Sequence, residues 1–422
     1  MLTKAPRGTY DALPGIVERY QYIENVFKNV AESFGYKEIR TPVFEHTELF
    51  KRGVGETTDV VQKEMYTFED RGGRSLTLRA EGTAPVVRAF VEKKLYNQAL
   101  PARFFYNGVP IFRYERPQAG RLRQHHQLGV ELFGINNPKI DVEVIDLLYT
   151  FYKELGMNQL VIDINSIGCV KCRKEHRKAL VSFLEKIKDQ LCETCQARLT
   201  RNPMRILDCK NENCQYLTLN APVTSDYLCD ECKNHYSQVK QGLISVGVEY
   251  NENKRLVRGL DYYTNTAFEI KNTALKGAIN VIGGGGRYNG LVKNLGGPSI
   301  PSIGFGSGLE RIDLACEAEG IKFPTKNYCD IYIVRADDYA GDLVFKLLHD
   351  LRKQGIKSDM DYANRSLKSQ MKQASKLNSK IALIIGEDEV KLNKITLKNL
   401  KSGEQSKICR TDIVQKIRNI IG

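Results

Sequence analysis

Ile16, Tyr20, Ile23, Phe27, Val30 and Phe34 recur at helical spacing, so the chain predicts a helix that runs to about Gly35, its C-terminal glycine. An extended segment, KEIRTP, follows and ends at Pro42. Met65–Phe68 and Ser75–Arg79 flank Asp70-Arg71-Gly72-Gly73 and predict a hairpin turn. In LRAEGTAPVVRAF, Glu81-Gly82-Thr83 opens a helix, where Glu81 suits the positive end of the helix dipole. Phe112–Gly134 then reads as an antiparallel hairpin. On its first arm Arg113 and Glu115 oppose Phe112 and Tyr114. On its second, Gln127, Gly129 and Glu131 oppose Leu128, Val130 and Leu132. Arg116, Arg121 and Arg123 fill the polar loop between the arms with Pro117 and Gly120.

That hairpin has an apolar back and a charged front. Its front brings an arginine, an amide and a carboxylate together beside a glycine, which leaves room for a ligand. An arginine-rich loop suits a polyphosphate, whereas Gln127 and Glu131 suit a small cationic or hydrogen-bonding ligand. A solvated sheet face is the plainer alternative.

Beyond the hairpin, the composition changes from about Ile167 to Val246, among helical stretches such as HRKALVSFLEKIKDQL, and predicts an inserted domain. The second half of LVRGLDYYTNTAFEI (Leu256–Ile270) alternates like a strand. Tyr262 and Tyr263 are adjacent on that strand, so only one of them can face a ligand. GGGGRYNGL (Gly283–Leu291) lacks the Lys-Ser/Thr of a phosphate loop, and GFGSGLERI runs from a glycine turn into a helix carrying Arg311. Glu317–Asn327 is a polar linker. After it, strands and helices alternate in α/β fashion to the end of the chain.

At 422 residues the chain is long enough for two or three domains. A balance of 42% hydrophobic and 27% charged residues is that of a soluble globular protein. No apolar run reaches the roughly 18 residues that span a membrane, and MLTKAPRGTYDALPG lacks the apolar core of a signal peptide. A cytoplasmic protein without a membrane partner is expected. The net charge of +13 favours a polyanionic partner such as nucleic acid. Residues 328–422 hold 18 Lys/Arg against 12 Asp/Glu, so under a quarter of the chain carries nearly half of that charge.

Eight of the eleven cysteines fall in close pairs: Cys169/Cys172, Cys192/Cys195, Cys209/Cys214 and Cys229/Cys232. In a reducing compartment such clustering points to metal thiolates rather than disulfides. Three CxxC pairs and one CxxxxC could close one or two four-thiolate sites for structural zinc, with packed, reduced thiols as the alternative.

The Phe112–Gly134 hairpin resembles motif 2 of the class II aminoacyl-tRNA synthetases. The first helix and strand resemble their motif 1, and GFGSGLERI resembles their motif 3. More specifically, LVRGLDYY and GGRYNGL resemble the two signature peptides of the histidyl-tRNA synthetases, of bacterial type. The C-terminal segment resembles that family's anticodon-binding domain.

The resemblance implies an α/β (α+β) fold. A class II catalytic domain with an antiparallel sheet spans 1–325, a mainly helical cysteine-rich insertion interrupts it at 167–246, and an anticodon-binding domain spans 328–422. It implies a homodimer built through motif 1. It also implies histidine–tRNA ligation, in which histidine and ATP, with magnesium, give histidyl-adenylate and pyrophosphate before transfer to histidine tRNA. The implied histidine site is Glu81, Thr83, Arg113, Gln127, Glu131, Tyr263 and Tyr288. For ATP it is Arg113, Arg121, Arg123, His125 and Arg311, with Arg258 and Arg113 catalytic. The family has no general zinc requirement. This sequence departs from the family at Ala80, usually proline, at His125, often phenylalanine at the adenine-stacking position, and at Asn289, often aspartate. A synthetase-like regulatory subunit of ATP phosphoribosyltransferase is the nearest rival, but it lacks the anticodon domain and has a degraded active site.

Overall fold

The computed structural model describes residues 3–56 and 58–421. The chain divides into two compact units, Met1–Phe323 and Pro324–Gly422. In the first, an eight-stranded sheet runs in the spatial order Lys37–Glu38, Ala102–Phe112, Gln124–Phe133, Ser302–Gly308, Val281–Arg287, Thr264–Asn272, Leu160–Ser166 and Asn251–Glu252. Its pairings are antiparallel except at the two short edge strands.

One face of this sheet is covered by the helices Ile16–Ser33, Pro138–Glu154 and Leu309–Ala318. The expected apolar stripe of the first helix provides the contact. Ile23, Phe27 and Val30 are buried, and the Phe27 ring sits 5.1–6.3 Å from those of Phe151, Phe105 and Phe305. Burying a side chain of this size contributes about 1.5–3 kcal/mol. Leu128, Val130 and Leu132 join that core, which leaves Gln127, Gly129 and Glu131 on the other face. Gly35 lies just past the helix with φ +81°, a conformation that favours glycine.

The hairpin differs from its reading at the first arm. The strand is Ala102–Phe112 and ends where the arm was expected to begin, so Arg113–Arg123 is loop. GGGGR lies in the strand Val281–Arg287, and GFGSG is a strand leading directly into the Arg311 helix rather than a glycine turn. Thr67–Glu69 and Ser75–Leu78 form the expected hairpin and pair with Phe44–His46.

Residues 167–246 are mainly helical, with Val170–Glu185, Glu193–Arg201, Glu212–Leu217 and Asp230–Ser245 as the α-helices. The second unit carries a five-stranded sheet, Ser358–Met360, Ile331–Arg335, Ile381–Ile385, Lys394–Asn399 and Gln405–Cys409. Its own core includes Ile331, Ile333, Leu348, Leu383 and Ile417. Among the described residues no helix is long and apolar enough to cross a membrane.

Candidate active site

The opposite face of the large sheet, covered in part by the helix Thr83–Glu92, has a glycine floor. Gly129, Gly306 and Gly284 are register partners across three neighbouring strands. A Cβ at Gly306 would overlap the Gln127 amide, and one at Gly284 would lie 2.6 Å from the Arg258 guanidinium. These residues are glycine because functional side chains lie flat against the sheet there.

Two cavities of about 240 and 260 Å³ open above the floor and share Arg113, Glu115, Arg121, Gln127 and Arg258, so they form one cleft with two chambers. The first chamber adds His125, Glu310 and Arg311. The second adds Glu81, Thr83, Tyr262, Tyr263, Glu64 and Arg205.

Fixed partners aim the arginines. Arg113 Nε donates to the Ala80 carbonyl at 2.8 Å, and its Nη1 lies 3.9 Å from Glu64. Arg311 donates from Nε to Gly120 O and from Nη1 to Val281 O, both at 2.9 Å. Burial, and after it the charge of Arg121, push the Arg311 guanidinium below its usual range. Arg121 pairs with Glu115. Arg258 Nη1 pairs with Glu269 at 2.6 Å, and its Nε is buried with no hydrogen-bond partner. Asp261, three residues after Arg258, accepts from Asn202 Nδ2 at 2.7 Å. With Arg205, five arginines line this one cleft, which suits a polyanionic ligand.

In the second chamber, Glu81 caps the helix Thr83–Glu92, accepting from the backbone of Thr83 at 2.8 Å and of Ala84 at 2.5 Å. Gln127 Oε1 accepts from Gly82 N at 3.1 Å, which turns its amide nitrogen toward Gly306. Glu131 and Tyr288 lie behind the lining, fully buried and hydrogen-bonded to each other. Burial pushes the Glu131 carboxyl well above the usual carboxylate range, against the pull of the Tyr288 hydroxyl. A buried carboxyl held in this way regains its charge when a cationic ligand arrives.

Two expectations change. Tyr262 and Tyr263 both line the chamber, because the strand begins only at Thr264 and a turn precedes it. Arg123 is outside the cleft lining. Its Nε donates to Glu115 O at 3.2 Å, and its guanidinium lies 4.0 Å from the Tyr114 ring centroid. The sequence reading missed Glu64, Glu115, Tyr262 and Arg205. Of these, Tyr262, inside the DYY signature, and Glu115, on the same face of the expected hairpin arm as Arg113, carried a local signal.

His125 lines the first chamber, and burial followed by the Arg113 charge lowers its pKa to about 4. The ring is therefore neutral at pH 7. Folding disfavours its proton, so stability should fall as pH drops from the unfolded value of 6.5 toward about 4. His125→Phe should flatten this fall relative to wild type in thermal melts across that window. An unchanged pH dependence would mean that His125 does not titrate this way.

The cysteines sort into two quartets. Cys169, Cys172, Cys229 and Cys232 form one, and Cys192, Cys195, Cys209 and Cys214 the other; within each, all Sγ atoms lie within 4.8 Å of one another. These are the groups of three or more metal-ligating side chains among the described residues.

The family model described as histidyl-tRNA synthetase matches residues 8–312, and one described as anticodon binding domain matches 330–420. The chain is 51% identical over 419 residues to a histidine–tRNA ligase of Caldanaerobacter subterraneus subsp. tengcongensis, covering 99% of this chain and 100% of the relative. It is 51% identical over 421 residues to one from Halothermothrix orenii, covering both chains fully. Apo histidyl-tRNA synthetase of S. aureus superimposes with a TM-score of 0.84 at 43% identity, over 99% of this chain and 100% of the other.

Proposed function

Because the chain belongs to the histidyl-tRNA synthetase family, we propose a residue-level account of how it performs histidine–tRNA ligation. It activates histidine with ATP, releasing pyrophosphate, and then transfers the histidyl group to the terminal ribose of histidine tRNA.

The observation that carries the account is that Arg113 and Arg258 line both chambers. ATP occupies the chamber of His125 and Arg311, and histidine that of Glu81, Thr83, Gln127, Tyr262 and Tyr263. The histidine carboxylate then meets the α-phosphate between the guanidinium groups of Arg113 and Arg258. A carboxylate oxygen attacks the α-phosphorus, and the bond to the β-bridging oxygen breaks. Charge grows on the non-bridging oxygens, where Arg258 and Arg113 stabilise it without reorganising. Arg311 and Arg121 hold the departing phosphates, while Arg123 buttresses the loop through the Glu115 carbonyl. Glu81 and Thr83 face the ammonium. Glu131, oriented by Tyr288, backs the imidazole subsite. In the second step the ribose hydroxyl attacks the histidyl carbonyl and AMP leaves.

Glu115, the carboxylate that lines both chambers, would hold a magnesium ion bound with ATP, whose charge would offset that of the phosphates. Each cysteine quartet suits one structural zinc. Domains at 1–325, interrupted at 167–246, and at 328–422 fit this division of labour. Partly exposed Val43, Phe44 and Phe68 support a homodimer interface beside the small sheet. The tRNA substrate supports a cytoplasmic location.

Histidine-dependent ATP–pyrophosphate exchange tests this account. Gly306→Ala should displace the Gln127 amide and raise the KM for histidine about tenfold, the cost of roughly one hydrogen bond to a charged group. An unchanged KM would remove Gln127 from the pocket.

A further inference from the structure

The signature segment that carries Arg258 is held from outside the large sheet by both cysteine quartets. We infer that each quartet binds one zinc ion and that the two ions together clamp residues 255–265 in their active geometry. The zinc sites stand on the thiols alone, whereas the role of the clamp rests on the proposed assignment of Arg258.

The sulfur geometry fits tetrahedral zinc. Four thiolates at about 2.3 Å from zinc lie about 3.8 Å apart. Sγ separations of 3.6 Å for Cys169–Cys172, 4.0 Å for Cys169–Cys229 and 3.9 Å for Cys192–Cys209 bracket that value. A disulfide would need about 2.05 Å. Cys169, Cys192 and Cys229 each stand at the N-cap of a helix, where the dipole favours a thiolate. Backbone N–H groups also donate to sulfur, Cys229 N to Cys172 Sγ at 3.1 Å and Cys192 N to Cys214 Sγ at 3.2 Å. Such donors satisfy thiolates that a metal has deprotonated. The cysteines themselves form part of the apolar clusters around the quartets, and the cluster at the first quartet has only Leu228 besides cysteines.

The clamp follows from what touches residues 255–265. Arg255 Nη2 donates to Leu207 O at 3.1 Å and to Thr218 Oγ1 at 2.8 Å, and its Nη1 donates to Thr218 O. Leu207 and Thr218 flank Cys209 and Cys214, and Thr218 Oγ1 itself donates to the Cys214 carbonyl at 2.7 Å. Asn202, one residue beyond the Cys192–Cys195 helix, holds Asp261. Arg258 is thus pinned three residues before and three residues after by the second quartet. The first quartet grips the far end. Arg173, next to Cys172, donates to Tyr263 O at 3.1 Å, and Asn265 Nδ2 donates to Cys232 Sγ at 3.4 Å.

Full-length protein purified without chelator should contain about two zinc ions per chain. Cobalt exchanged into it should show the near-ultraviolet thiolate-to-metal charge-transfer band of a four-sulfur site. Cys192→Ser/Cys195→Ser should lose one ion, as should Cys169→Ser/Cys172→Ser. The first pair should slow single-turnover adenylate formation about 10–100-fold with histidine affinity little changed, and the second should weaken histidine binding through Tyr263. Where a double variant does not fold, Arg255→Ala and stepwise chelation of folded wild-type protein, followed by circular dichroism, take its place. Arg255→Ala should keep two zinc ions and melt near wild type, yet lower the single-turnover rate without raising the KM for histidine. Less than about 0.2 metal ion per chain, with no uptake of added zinc or cobalt, would overturn the sites. Zinc-depleted, folded protein that adenylates at the wild-type rate, or Arg255→Ala at that rate, would overturn the clamp. Metal content does not depend on Arg258, so failure of that catalytic assignment would leave the zinc result standing and remove only the clamp's purpose.

Discussion

Arg258→Ala should lower single-turnover formation of histidyl-adenylate by roughly 10²–10³-fold, the cost of about 3–4 kcal/mol for losing one preorganised donor to a developing charge. The preorganisation is visible in three contacts. Glu269 holds one end of the guanidinium at 2.6 Å, and the Tyr263 ring lies 5.6 Å from its carbon. Gly284 leaves the only kind of floor on which it can lie flat, since a Cβ there would stand 2.6 Å from Nη1. Arg258→Lys should rescue little, because an ammonium cannot reproduce the planar fork. Loss of the Glu269 pair lowers stability in either reading, so the melting temperature alone decides nothing. Glu269→Gln separates the two readings. If Arg258 served only that ion pair, Glu269→Gln and Arg258→Ala would lower stability alike, and both would keep a normal rate per folded molecule. If Arg258 is catalytic, Arg258→Ala alone should lose most of the rate while histidine affinity stays within a few-fold. A rate for folded Arg258→Ala within a few-fold of wild type would defeat the assignment.

Such contacts mark the limit of what the chain alone discloses. The second arm of the central hairpin was readable because Gln127–Leu132 alternates without interruption and one face is buried. The first arm was not. Between Tyr106 and Val109 the register shifts, and Gly108 takes φ +60°, so the period of two breaks inside the strand and resumes only at its end. GGGGR lacks the side chains from which a strand is normally recognised. Its glycines answer to neighbours 16 or more residues away, such as Arg258, Phe268 and Phe305, and no local pattern encodes that. The cysteine spacing announced paired ligands, yet the cross-pairing of Cys169/Cys172 with Cys229/Cys232 is a tertiary fact set by where two helices begin. The same holds for Arg258, whose partner Glu269 lies eleven residues on along the chain.

Deleting residues 328–422 should reduce kcat/KM for tRNA charging by roughly 10²-fold or more while histidine-dependent pyrophosphate exchange stays within a few-fold. The asymmetry follows from two separate cores. Buried clusters of the second unit, around Ile331, Leu348 and Ile417 and around Tyr332 and Ala382, share no residue with the cluster that holds the large sheet. The glycine floor and the arginines above it all lie before residue 323. Adenylation therefore keeps its machinery. Charging loses a second attachment point, the anticodon-binding segment at 330–420. A tethered second contact raises apparent affinity by roughly 10²–10⁴-fold through effective concentration alone. Part of that contact is electrostatic, since the segment from 328 on carries 18 Lys/Arg against 12 Asp/Glu. Binding of tRNA to the full chain should accordingly weaken steeply with salt, and the slope of log K against log salt should be shallower for the truncated protein. Analytical ultracentrifugation and circular dichroism of the truncated protein establish that it is folded before the kinetics are read. Equal kcat/KM for tRNA in the two proteins, at matched salt, would show that the second unit contributes nothing to tRNA recognition.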